Sequence, residues 1–168
     1  MDRNEIQEKY KWDLTKIYKN IEEFNKEYKK IEKQIEDFSK YESIMGTNAH
    51  NFYETLNKYF EISRVLEKLS VYTHLLFDEN TKDNNNQALS AKVSNLYDKF
   101  VKISYFTTPT ILKKEYSEIE KYYKEEPKLK EYEILLKNEY RYKEHTLSDI
   151  EEKIKDANEK LENLIDRK

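Results

Sequence analysis

The chain of 168 residues contains no cysteine, a single glycine (Gly46) and only two prolines, Pro109 and Pro127. Without cysteine there are no disulfides, thiolate zinc sites or cysteine nucleophiles. Sandwiches and barrels need many tight turns, which depend on residues that tolerate or fix unusual φ values. Rossmann and P-loop phosphate sites need several glycines close together, and Gly46 stands alone. No long hydrophobic run is present either: the most apolar stretch, Leu69 to Phe77, is about half a membrane span and contains His74. Met1 to Glu5 lacks the apolar stretch of a secretory signal, so a cytoplasmic protein with no membrane partner is expected. Neither sign of charge dominates. Lys and Arg total 31 against 34 Asp and Glu, a formal net charge of −3, which argues against nucleic acid as a partner. What remains is an all-α protein, expected as one helical domain over residues 1–168.

The apolar residues give that domain its organisation. Ile17, Ile21, Phe24, Tyr28, Ile31, Ile35 and Phe38 recur at alternating spacings of 4 and 3, which predicts one long amphipathic helix capped by Asp13 or Thr15. Tyr10 and Trp12 precede it as a strap. Met45-Gly46-Thr47-Asn48 reads as the first turn. A second helix is predicted from about Ala49 to Phe77, with an apolar stripe that widens at its C-terminal end as though packed between partners. The polar run Asp78–Asn86 reads as the second turn. Leu89, Val93, Leu96, Phe100 and Ile103 predict a third helix. Thr108 as N-cap and Pro109 as first helical residue start a short fourth. Pro127 opens a further segment, and Ser148 with Glu151 forms a capping-box pattern ahead of Ile150, Ile154, Leu161, Leu164 and Ile165. The expected architecture is an antiparallel helical bundle or hairpin array of about five to six helices.

Little in the chain points to chemistry. The three histidines, His50, His74 and His145, lie at least 24 residues apart, and no H-E-x-x-H zinc pattern occurs. Adjacent acids such as Glu22-Glu23 and Asp78-Glu79 are expected by chance in a chain that is 39% charged. Ser63, Ser70 and Ser104 have no recognisable base. No catalytic residue, metal ligand or cofactor is therefore assigned in this chain. Tyrosine is the abundant residue, 15 in all, and Tyr28, Tyr59, Tyr72, Tyr97, Tyr132 and Tyr140 fall on the apolar stripes. Two readings stand. One is an aromatic wall that grips extended peptide; the other is a compositional bias in which Lys, Asn, Ile, Tyr and Glu rise together.

Four segments in register are familiar. Trp12-Asp13-Leu14-Thr15-Lys16-Ile17-Tyr18 leads into the first helix, and Tyr72-Thr73-His74-Leu75-Leu76-Phe77-Asp78-Glu79-Asn80-Thr81 precedes Gln87-Ala88-Leu89. Pro127-Lys128-Leu129-Lys130-Glu131-Tyr132 is followed by Tyr142-Lys143-Glu144-His145-Thr146-Leu147-Ser148. Together they resemble the N-terminal helical region of oligoendopeptidase F, a bacterial zinc oligopeptidase related to thimet oligopeptidase, over roughly residues 7 to 155. The resemblance implies helices that form a wall of a channel for short, unstructured peptides. It places zinc and H-E-x-x-H in a separate catalytic domain, which becomes the implied partner. None of those catalytic residues maps onto this sequence, so the chain alone is expected to be inactive. Tyr72, His74 and Asp78 are the residues expected to face peptide or partner domain. Self-association is expected if apolar surface is left open. The other reading of the same stripes is a free-standing helical protein-interaction module.

Overall fold

The computed structural model describes residues 7–143. Among them the chain folds as α1 (Ile21–Glu36), α2 (Ala49–Glu79), α3 (Asn84–Ile103), α4 (Thr107–Leu112), α5 (Tyr116–Glu125) and α6 (Glu133–Tyr142), with short 3-10 turns between and no strand. The capping-box segment at Ser148, with His145, lies outside the described residues.

Side-chain hydrogen bonds fix the starts of the three long helices. Asn20 has extended backbone, and its side-chain oxygen accepts the Glu23 amide at 2.9 Å, which fixes the start of α1. The first helix is therefore shorter than its stripe predicts. Asp13 caps only a 3-10 turn over Leu14–Lys16, Ile17 sits between the two elements, and Ile21 is 47% exposed. The stripe itself holds: Phe24, Tyr28, Ile31 and Ile35 are buried, and Phe38 continues it into the 3-10 turn Asp37–Tyr41. Asn48 starts α2 in the same way as Asn20, accepting the Asn51 amide at 2.8 Å.

The second turn is shorter than predicted. Asp78 and Glu79 remain helical, and Asn84–Asn86 already belong to α3, leaving residues 80–83 to reverse the chain. The asparagines that read as loop are caps. Asp83 accepts the Asn85 amide at 2.8 Å, while the Asn86 side-chain amide donates to the Leu76 carbonyl at 2.9 Å and closes the end of α2. The helix α4 begins at Thr107 after Phe106, not at Pro109 after Thr108. Phe106, 4% exposed, anchors that corner, and a proline in the first turn forfeits no intrahelical bond. Pro127 opens a 3-10 turn to Tyr132 rather than a helix.

The long helix α2, 31 residues and about 46 Å, organises everything else. Toward its N-terminal half, Phe52 meets Tyr122 of α5, and Phe60 stacks on Tyr132 with centroids 5.2 Å apart. Phe38 is fully buried between Tyr41, Tyr59, Phe100 and Phe106, joining the end of α1 to α2, α3 and α4. Toward the other end, α2 pairs with α3 while α1 covers one side of the pair. Tyr140 of α6 donates its hydroxyl toward the Ile111 and Lys114 carbonyls at 2.7 and 2.8 Å, tying α6 to the end of α4. Of the stripe tyrosines, Tyr97 departs from expectation: it is 52% exposed on α3.

Burial raises many of these phenols. Tyr132, with Glu131 nearby, and Tyr140 are each pushed up to about 12, and Tyr18, Tyr28, Tyr59, Tyr72 and Tyr123 also move upward. A phenol raised above its unfolded value of about 10 stabilises the fold fully below that pH, and the contribution disappears as pH climbs through the folded value. Absorbance of phenolate at high pH should therefore appear in two stages, the exposed tyrosines first and the buried ones together with loss of helicity above about pH 11. A single stage near pH 10 with helicity intact would contradict the packing described here.

Candidate functional site: the C-terminal end of α2

Tyr72, His74 and Asp78 all lie on the last two turns of α2, and helical spacing separates their roles. Tyr72 points inward, 7% exposed, with ring centroids 4.9 Å from Tyr18 and 5.4 Å from Phe24. His74 and Asp78, four residues apart, are exposed together on a different side.

The inward side is latched. Tyr18, the last residue of the N-terminal strap to enter the core, donates its hydroxyl to Glu27 of α1. Lys68 of α2 pairs with the same carboxylate at 2.8 Å and lies 4.1 Å over the Tyr18 ring. Burial alone would raise the Glu27 carboxyl, but the bonds from Lys68 and Tyr18 outweigh it and hold the group below its ordinary value. The strap thereby frames a cleft of about 390 Å³ lined by Trp12, Thr15, Lys19, Tyr72, Leu76 and Glu79. Glu27 and Lys68 are 41 residues apart and lie beside the apolar stripes, so no periodicity marked them as a pair.

On the outward side, His74 Nδ1 lies 2.9 Å from the Ser70 carbonyl and 3.3 Å from its hydroxyl. Donation to the carbonyl fixes the proton on Nδ1, so this nitrogen is not a base for Ser70, and Nε2 is the one left for a partner. Asp78 and Glu79 sit in the final turn of α2, which contains no basic residue. Acids there oppose the helix dipole by about 0.3–1 kcal/mol each.

The remaining histidine among the described residues, His50, pairs with Glu126 at 3.1 Å, far along α2 from His74. Among the described residues no three of His, Cys, Asp or Glu converge where a metal ion would sit. No described helix is long and apolar enough to cross a membrane. This is a helical scaffold whose one end of α2 offers charged and polar groups outward.

Comparison with known proteins agrees with that class. The N-terminal profile of the M3 peptidases, described as Oligopeptidase F, matches residues 111–164. The oligoendopeptidase F homolog of Borreliella burgdorferi is 36% identical over 154 residues, 92% of this chain and 26% of its own length. Oligopeptidase PepF of Bacillus subtilis is 29% identical over 90% of this chain and 22% of its own. The crystal structure of oligoendopeptidase-F from Enterococcus faecium superposes with a TM-score of 0.66 at 29% identity, over 77% of this chain and 26% of that one. Along nine-tenths of its length the chain is thus similar to oligoendopeptidase F proteins, and its match to the family's N-terminal profile places the similarity in their helical N-terminal part. It spans about a quarter of the length of the relatives it matches.

Proposed function

We propose that this chain is the noncatalytic N-terminal domain of an oligoendopeptidase F-like zinc metallopeptidase of the cytoplasm, which hydrolyses short peptides. In this reading its helices form a wall of the substrate channel and dock onto the catalytic domain of the same enzyme. The observation that supports it most is the match along nine-tenths of this chain to peptidases about four times as long. Zinc, with the residues that hold it and the water it activates, belongs to the catalytic domain; the described residues offer no donor set that fits it.

Within the wall, Tyr72 and its strap fix the end of α2, while His74 and Asp78 are presented to peptide or to the partner domain. An imidazole acceptor and a carboxylate one turn apart suit backbone amides and the amino terminus of a short peptide. Exposed Ile134 (78%) and Tyr105 (64%) supply apolar surface for docking, and for self-association of the chain on its own. The test mixes this chain with the separately produced catalytic domain and follows size by light scattering. A one-to-one complex weakened by His74→Ala with Asp78→Ala is the expected result. A chain that ignores the catalytic domain yet pairs with an unrelated helix would favour a free-standing interaction module.

A further inference from the structure

The strap does not fill the space between itself and the C-terminal end of α2. It leaves the cleft of about 390 Å³, a volume in the range of small-ligand sites. The apolar walls are Trp12 and Leu14 of the strap, Leu76 of α2, and the two tyrosines Tyr18 and Tyr72. Those tyrosines differ in what their hydroxyls do. Tyr18 donates to Glu27. Tyr72 is only 7% exposed, yet its hydroxyl has no hydrogen-bond partner among the described residues, and burial alone raises its phenol. A nearly buried hydroxyl without a protein partner is satisfied by water or by a ligand.

The charged groups around the cleft are not equivalent. Asp13 is occupied: its carboxylate accepts the Thr15 amide at 3.2 Å and the Thr15 hydroxyl, and lies 3.8 Å from Lys16. Lys11 and Glu79, of opposite sign, both interact with other groups already. Lys19 differs. Its backbone amide donates to Glu23 at 3.1 Å, while its ammonium has no carboxylate partner among the described residues. The groups left over are both donors, a phenol and an ammonium, beside an apolar wall.

We propose that this cleft binds a carboxylate carried next to a large apolar side chain, with the Tyr72 hydroxyl and Lys19 as donors and Trp12 as the outer wall. A bond from a phenol to an ionised acceptor is stronger than one to a neutral group, more so at a nearly buried position. Lys19 and Trp12 are exposed, so the carboxylate keeps part of its hydration while the apolar side chain loses water. Two sources share this chemistry, an acylated amino acid and the C-terminal residue of a peptide. The site is separate from the outward pair His74 and Asp78. It does not depend on the peptidase reading, because it rests on the side chains that line the cleft.

Trp12 is the single tryptophan of the chain, so its fluorescence reads the cleft directly. The full chain is titrated with N-acetyl-leucine, with N-acetyl-leucine amide, which lacks the carboxylate, and with N-acetylglycine, which lacks the side chain. The expected result is a saturable change in Trp12 emission with N-acetyl-leucine, roughly tenfold tighter than with either analogue. Tyr72→Phe, which keeps the ring, and Lys19→Gln should each weaken binding about fivefold with helicity unchanged. A hexapeptide ending in leucine separates the two sources. Tighter binding than N-acetyl-leucine assigns the cleft to a peptide end, and weaker binding assigns it to the amino acid. Equal binding of acid and amide, undiminished binding by Tyr72→Phe, or no saturable response would overturn the inference. Because no catalytic domain is present in the tube, failure here leaves the docking experiment above unaffected.

Discussion

Phe38→Ala is expected to lower the stability of the chain by about 3–5 kcal/mol, the range for removing a fully buried aromatic ring. For a domain of this size that corresponds to a fall in Tm of about 6–20 °C. The magnitude comes from position rather than from ring type. Phe38 is 0% exposed, and its ring centroid lies 5.3–6.2 Å from those of Tyr41, Tyr59, Phe100 and Phe106. Those neighbours come from the turn after α1, from α2, from α3 and from the approach to α4, so no single side chain can collapse into the space without moving a second helix. Ile134→Ala is the matched control. That side chain is 78% exposed, and its removal should change stability by no more than about 0.5 kcal/mol. Thermal denaturation followed by far-ultraviolet circular dichroism reads both. Equal small shifts for the two variants would mean that the helices do not meet at Phe38.

Tyr72 should behave as core despite its place among the outward residues of α2. Tyr72→Ala is expected to cost about 3–5 kcal/mol, because Tyr18 and Phe24 lose their common neighbour and the strap loses its seat. Tyr72→Phe keeps the ring and should cost less than about 1.5 kcal/mol. Asp78→Lys goes the other way, stabilising by about 0.3–1 kcal/mol, since it exchanges an acid for a base at the C-terminal end of a helix. Denaturant unfolding of the three variants checks the order. Should Tyr72→Ala prove as mild as Tyr72→Phe, the strap would not be packed against α2 as described.

The legible and illegible parts of this protein divide by range. Regular apolar spacing announced α2 and α3 and the stripe of α1, because a helix face repeats locally in the chain. The caps were harder. Asn20 lies inside an unbroken stripe, and nothing in the spacing says that its side chain will take the Glu23 amide and start the helix there. The run Asp83-Asn84-Asn85-Asn86 reads as loop by composition, although these residues cap two helices and begin one of them. The latch of Tyr18, Glu27 and Lys68 was invisible, since its partners come from three separate elements and each is an ordinary residue where it stands. At the candidate site, the order Tyr72, His74, Asp78 was readable as a group, but which of them faces inward depends on where α1 and the strap pack. The family relation was legible from four short segments because they recur in order, which no single stretch of this charged, helical composition would have established.

The central claim is that this chain is the part of an oligopeptidase that shapes the channel and performs no chemistry. The most direct measurement is cleavage of a fluorescence-quenched oligopeptide by the purified chain, with zinc supplied, before and after addition of the separately produced catalytic domain. The account predicts no cleavage by the chain alone and cleavage of the short peptide once the two parts combine, above that of the catalytic domain by itself. Cleavage by this chain alone, abolished by a chelator, would contradict it.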